Sequence, residues 1–319
     1  MSTEGGTKAV VAALLANSGI AVTKFVAWLL TGASSMLAES IHSVADAGNQ
    51  GLLLLGGKRS QRPATANHQF GFGRERYIYA FIVAIVLFSV GGLFALYEAF
   101  HKYEEVHAGE ENQLLESSYW WVPIVVLVAA IVMESFSFRT AIVESNRSRG
   151  TASWSTFVRR AKSPELPVIL LEDFAALVGL VLALMGVSLT LVTENGYWDV
   201  AGTAAIGLLL VVVAIVLAIE TKSLLLGESA TTEHRDKIEA GILAGPEILE
   251  ILSIRTLHTG PEEILVAGKI AVAPTESAQA VTDAINDAEV RVRAAVPEAK
   301  YIFLEPDIAR ADHKPSGPR

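Results

Sequence analysis

His42 and Asp46 stand four residues apart in the segment Ala38-Glu39-Ser40-Ile41-His42-Ser43-Val44-Ala45-Asp46-Ala47-Gly48-Asn49-Gln50. On a helix that spacing stacks an imidazole and a carboxylate on one face, where the two can share a divalent ion. Glu39, three residues before His42, and Asn49, three after Asp46, extend the same face. Two further carboxylates, Glu172 and Asp173, are adjacent later in the chain. The chain has no cysteine, which excludes disulfides, cysteine zinc sites and thiol catalysis. A site built from His42, Asp46, Glu172 and Asp173 is therefore an N/O set, of the kind that zinc, cobalt or manganese accepts.

The segments that carry these groups are apolar. Of 319 residues, 51% are hydrophobic and 18% charged. That balance excludes a disordered or collagen-like chain and leaves more apolar surface than a soluble core absorbs. About 20 apolar residues suffice for a spanning helix. Six stretches qualify: Ala9 to Leu30, Ser35 to Leu55, Tyr77 to Phe100, Tyr119 to Phe138, Pro167 to Val192 and Trp198 to Leu226. The first run is too long for a signal-peptide core and reads as a retained span. Span two is the least apolar, and the tight turn Thr31-Gly32-Ala33-Ser34 joins it to span one. Ionisable groups inside spans are costly and mark a pathway or coupling site. Hydrogen-bonding glue between helices is the competing role. Lys24, Glu98 and Glu134, one each in spans one, three and four, fit that structural role as ion pairs or interface residues.

Loop charge sets the expected orientation. The loop after span two holds Lys58, Arg59, Arg62, Arg74 and Arg76, and the loop after span four is also basic. The loops after spans three and five are acidic. The alternation places both termini in the cytoplasm. A net charge of -9 argues against nucleic acid as a partner. The acidic, cysteine-free chain and its short polar N-terminus suggest a prokaryotic inner membrane.

Residues 1–228 are thus expected to form a transmembrane domain and residues 229–319 a cytoplasmic one. In the latter, Thr232 to Ala244 is helical, Ile248 to His258 and Ile264 to Val272 alternate as strands around a Gly260-Pro261 turn, Thr275 to Ala295 is helical and Tyr301 to Leu304 is a third strand. The order α-β-β-α-β suits a small two-layer α+β domain. His258 in this domain is expected to be an exposed turn residue. Gly71-Phe72-Gly73 lacks the spacing and context of a phosphate loop.

His42 through Gln50 resembles the second-helix signature of the cation diffusion facilitators, the cation efflux family. His68-Gln69-Phe70-Gly71-Phe72-Gly73-Arg74-Glu75-Arg76-Tyr77 resembles the segment that leads into that family's third helix. Asp199, Glu220 to Glu228, His258-Thr259-Gly260-Pro261 and Phe303-Leu304-Glu305-Pro306 also fit. The resemblance covers nearly the whole chain, and Leu171-Glu172-Asp173 with Asn49-Gln50 bring it closest to the zinc transporter 9-like branch. It implies six helices, a cytoplasmic ferredoxin-like domain, a homodimer through that domain, and exchange of metal for protons. Carried over by position, the family's central site falls on His42, Asp46 and Asp173. Ile169 stands where the family often has a histidine, and Glu172 is the nearby substitute. Two accessory sites are thin: Thr65 and Phe72 flank His68 at ligand positions, and Leu252, Gly268 and Phe303 leave only Glu305 in the terminal domain.

The expected activity is export of a divalent cation from the cytoplasm, zinc first, with manganese, iron, cobalt or nickel as alternatives. No resident cofactor and no catalytic residue are expected. A non-transporting scaffold has no need of costly groups at that depth. An intramembrane hydrolase would need a His-Glu-x-x-His pair, which is absent.

Overall fold

The computed structural model describes residues 18–110 and 112–309. Residues 9–17 of the expected first span lie outside the described residues. The chain divides into two compact units. One comprises the described residues up to Lys58 together with Ile78–Lys222, and the other comprises Arg59–Tyr77 and the described residues from Ser223 on.

The first unit is helical. Its elements are α1 (Ser18–Thr31), α2 (Ser34–Ser60), α3 (Glu75–His107), α4 (Val122–Arg149), α5 (Glu165–Thr193) and α6 (Tyr197–Leu226). Among the described residues, α3, α4, α5 and α6 are long and apolar enough to cross a membrane. The 28 residues of α4 make a rod of about 42 Å, against a hydrocarbon core of about 30 Å. Helix α2 is long enough too, but polar residues interrupt its apolar run. Its groups at 39, 42, 43, 46, 49 and 50 recur every three or four residues and form one stripe. Glu39, His42, Ser43 and Asn49 of that stripe are buried, whereas Val44, Leu54 and Leu55 point outward and are exposed. A helix with polar groups inside and apolar ones outside suits a bundle in lipid.

Two devices bring the helices close. Gly32, at φ +63°, turns the chain between α1 and α2, and a Cβ there would strike the Gln113 side chain. Gly186 of α5 and Gly202 of α6 face each other, and a Cβ on Gly186 would come 3.0 Å from the Trp198 carbonyl oxygen. Small residues at such points let backbones approach. Helix α3 carries a seven-residue π segment, Leu87–Leu93, and its Gly91 lies beside His42.

The start of α2 is held by a distant carboxylate. Asp199, in the first turn of α6, accepts from Ser34 N at 2.8 Å, Ser35 N at 3.4 Å and Ser35 Oγ at 2.6 Å. Free N–H groups and the positive end of the dipole at a helix start favour such an anion.

The second unit contains α7 (Thr232–Leu243), β1 (Ile248–Gly260), β2 (Glu263–Val272), α8 (Ala278–Ala295) and β3 (Ala299–Asp307). The order is the α-β-β-α-β read from the sequence, with each element placed close to its expected bounds. β1 and β2 pair antiparallel through the Pro261-Glu262 turn, and β2 pairs parallel with β3. The parallel step needs a crossover, and α8 supplies it. Ile264, Val266 and Ile270 of β2 join Ile302 and Leu304 of β3 on one face, where Ile238 and Ile242 of α7 and Ala288 and Val292 of α8 cover them. In the α2–α3 linker, the Phe70 ring sits edge-on to Tyr301 at 5.1 Å, and Arg76 reaches Glu262 at 3.7 Å. Gly73 lies so near Thr259 that a Cβ on it would be 2.9 Å from the Thr259 carbonyl oxygen.

Replacing Asp199 by Ala strips three donors at the α2 start of their acceptor. The expected loss is about 2–3 kcal/mol, with Asp199→Asn losing less, read as thermal melting of the detergent-solubilised protein. An Asp199→Ala variant that melts with wild type would show that α2 is positioned by packing alone.

Candidate metal site

The site is assembled by α2, α4 and α5, with α1 closing one side. His42 is 1% exposed, and its Nε2 lies 3.5 Å from Asp46 Oδ2, as the four-residue spacing requires. Neither ring nitrogen makes a hydrogen bond. A fully buried imidazole without a hydrogen-bond partner is a group held ready for a ligand or a proton. Asp46 lines a cavity together with Glu172 of α5. Carboxylates gathered around one cavity are stabilised by a proton or a cation among them.

Glu172 and Asp173 are neighbours on a helix and so point about 100° apart. The fold uses both directions. Glu172 turns to α2, where its Oε1 accepts from Asn49 Nδ2 at 2.7 Å. Asp173 turns to α4, where its Oδ2 accepts from Ser137 Oγ at 2.9 Å. Asp46, Glu172 and Asp173 line one cavity, with Lys24, Glu134 and Ser137 completing its polar wall. Its volume of about 20 Å³ holds one water-sized occupant. His42 stands behind Asp46.

The four sequence-derived residues are thus brought to one place. Among the described residues, however, no three His, Asp or Glu side chains close into a finished ligand set in this arrangement. Asn49 and Ser137 hold Glu172 and Asp173 apart. Glu39 lies on the His42 face as expected but is committed elsewhere: it is fully buried and its Oε2 takes the Lys24 ammonium at 2.9 Å. Lys24 Nζ also donates to Ser43 Oγ at 2.8 Å. The structural ion pair expected for Lys24 is therefore present. Glu134 lies between helices, as that expectation allows, but its place on the cavity wall was missed. Ser137 was also missed. The signal was there, because Glu134 and Ser137 are three residues apart and so share a face of span four.

In the second unit, His258 is a correction. It is 2% exposed rather than an exposed turn residue, since it lies within β1, and its Nδ1 is 3.2 Å from the Gly260 carbonyl oxygen. The nearby Glu263 has its carboxyl pushed above the usual range by burial, opposed by a hydrogen bond from the Thr259 hydroxyl. Glu305 pairs with Lys269 at 3.3 Å, and the His68 ring lies against Phe72 at 4.7 Å.

The cation efflux transmembrane domain family matches residues 10–226. The mouse (Mus musculus) protein named proton-coupled zinc antiporter SLC30A9, mitochondrial, is 32% identical over 260 residues, covering 81% of this chain and 44% of its own length. Metal tolerance protein C4 of Arabidopsis thaliana is 27% identical over 235 residues, covering 72% of this chain and 49% of its own. Magnetosome protein MamB of Paramagnetospirillum magneticum is 25% identical over 299 residues, covering 90% of each. The chain therefore spans less than half the length of the first two relatives. With two thirds of its residues under the family's transmembrane domain, the chain belongs to the cation efflux family, within its zinc transporter 9-like branch.

Proposed function

We propose that this chain is a secondary transporter that moves a divalent metal cation, zinc first, out of the cytoplasm in exchange for protons. The observation that carries the proposal is the cavity that Asp46 of α2 shares with Glu172 and Asp173 of α5, beside an imidazole with no hydrogen bond of its own. A proton and a metal ion are alternative occupants of such a place. Binding of the cation there draws on His42 as the nitrogen ligand and on Asp46, Asp173 and Glu172 as oxygen ligands, a set that suits zinc. Loading requires Glu172 to leave Asn49 and Asp173 to leave Ser137, so those two hydrogen bonds favour the metal-free arrangement.

The neutral imidazole binds metal and the imidazolium does not. Carboxyl protonation competes in the same way. Metal entry therefore releases protons, and protonation from the opposite side of the membrane ejects the metal. The relative from mouse bears the name of a proton-coupled zinc antiporter, which agrees with this cycle. Six spans, with α1 and α2 as the first two, a ferredoxin-like terminal domain and a homodimer through that domain complete the proposed architecture. Both termini are placed on the side of the basic loops, and the acidic loops face the side of release.

In proteoliposomes, zinc uptake is expected to follow an imposed pH gradient and to stop when an ionophore dissipates it; uptake indifferent to the gradient rules out exchange. His42→Ala and Asp46→Ala each remove a ligand and are expected to lower the zinc uptake rate by about 100-fold or more, since even groups behind metal ligands change affinity by about 10–100-fold. Either variant transporting at the wild-type rate would falsify the site.

A further inference from the structure

The mechanism above leaves a buried lysine unused. Lys24 of α1 is 3% exposed, yet it does not merely neutralise Glu39. Its ammonium bonds Glu39 Oε2 at 2.9 Å and Ser43 Oγ at 2.8 Å, and it forms part of the wall of the cavity that Asp46, Glu134, Glu172 and Asp173 share. Ser43 is three residues before Asp46, so the ammonium lies one helical turn from the candidate metal ligand. Glu39, its anchor, is outside the cavity wall, and its second oxygen, Oε1, has no hydrogen-bond partner. Lys24 therefore borders the cavity, whereas its counter-charge does not line it.

From this geometry we infer that Lys24 is a positioning residue for transport: a tethered cation that weakens the hold of the carboxylates on the cargo. The inference rests on the proposed metal site. A fixed positive charge on the wall repels a divalent ion more than a proton, because Coulomb energy scales with the charge of the occupant. It thereby keeps four carboxylates from trapping the metal and leaves room for one ion rather than two. In the metal-free state the same ammonium offsets part of the carboxylate charge, so the empty cavity tolerates a low-dielectric surround. Glu39 and Ser43 supply the tether that stops the lysine from entering the cavity as a permanent occupant.

The test compares Lys24→Gln, Lys24→Arg and the double variant Lys24→Gln/Glu39→Gln in the full chain. Initial zinc uptake rates in proteoliposomes give KM and kcat, and calorimetry in detergent gives the zinc Kd. Lys24→Gln is expected to lower KM and Kd at least tenfold and to lower kcat at least tenfold, because a metal held more tightly leaves more slowly. Lys24→Arg keeps the charge and is expected to stay within about threefold of wild type. The double variant removes the unpaired Glu39 charge that the single variant leaves behind, and is expected to shift in the same direction by less. It decides the matter if Lys24→Gln fails to fold. A KM that rises or stays constant while kcat falls is the signature of a structural defect and overturns the inference. Asp46→Ala serves as the control for the site itself. If Asp46→Ala still binds zinc with wild-type Kd, the metal-site reading fails; if it loses zinc while the lysine variants keep the wild-type KM, only the role of Lys24 fails.

Discussion

Lys24 and Glu39 must be buried together, and much of the helical unit follows from that constraint. Their side chains are 4% and 0% exposed and meet at 2.9 Å. Removing one member of such a pair costs about 3–5 kcal/mol, a large part of the total stability of about 5–15 kcal/mol typical of a folded domain. The pair therefore fixes α1 against α2, and with it the rotation of α2 about its own axis. Once that rotation is set, the helical period carries His42 and Asp46 to the same interior face. A Cβ on Gly179 of α5 would lie 2.7 Å from Glu39 Oε1, so a larger residue there would push on the Glu39 carboxylate.

Other charges reinforce the same placement from the opposite end. Asp199 grips the first turn of α2, while the site sits further along the helix. One end of α2 is thus pinned to α6 and its middle to α1 and α5. The apolar remainder of the unit, with Met36, Leu87, Leu180, Ile206 and Leu210 fully buried, fills space around these polar ties. Burial of hydrocarbon among helices in lipid discriminates weakly between partners, so the polar ties choose the register. The π segment of α3 belongs to the same economy of space. It brings Gly91 next to His42.

Much of this was legible in the sequence. The stripe through Glu39, His42, Asp46 and Asn49 follows from helical spacing, and the two strands flanking Gly260-Pro261 follow from alternation. The pairing of Lys24 with a carboxylate was legible too, because a lone lysine in an apolar span needs a counter-charge. Its partner was not, since Glu39 lies on another helix and already looked like part of the site. Glu134 and Ser137 escaped for the reverse reason. Span four is so uniformly apolar that one acid reads as an interface residue, and only packing against α5 gives it a cavity. The burial of His258 was hidden because a Gly-Pro turn two residues away masks the fact that the strand continues through it. The antiparallel-then-parallel order of the small sheet is likewise a property of its long-range pairing, which local alternation does not encode.

The linker between α2 and α3 has a consequence for how the protein can be taken apart. Phe70, Gly73 and Arg76 lie against Tyr301, Thr259 and Glu262, so the second unit is assembled from two stretches of chain far apart in sequence. A fragment cut after α6 would carry the complete sheet and both covering helices but would lack the strand of backbone that shields the β1–β2 turn. Its surface would expose more of the Tyr301 ring and the backbone at Thr259, which Phe70 and Gly73 cover in the intact chain. Self-association of such a fragment would then report on a face made by the cut, and only a fragment with residues 59–77 restored would present the surface that the whole protein has.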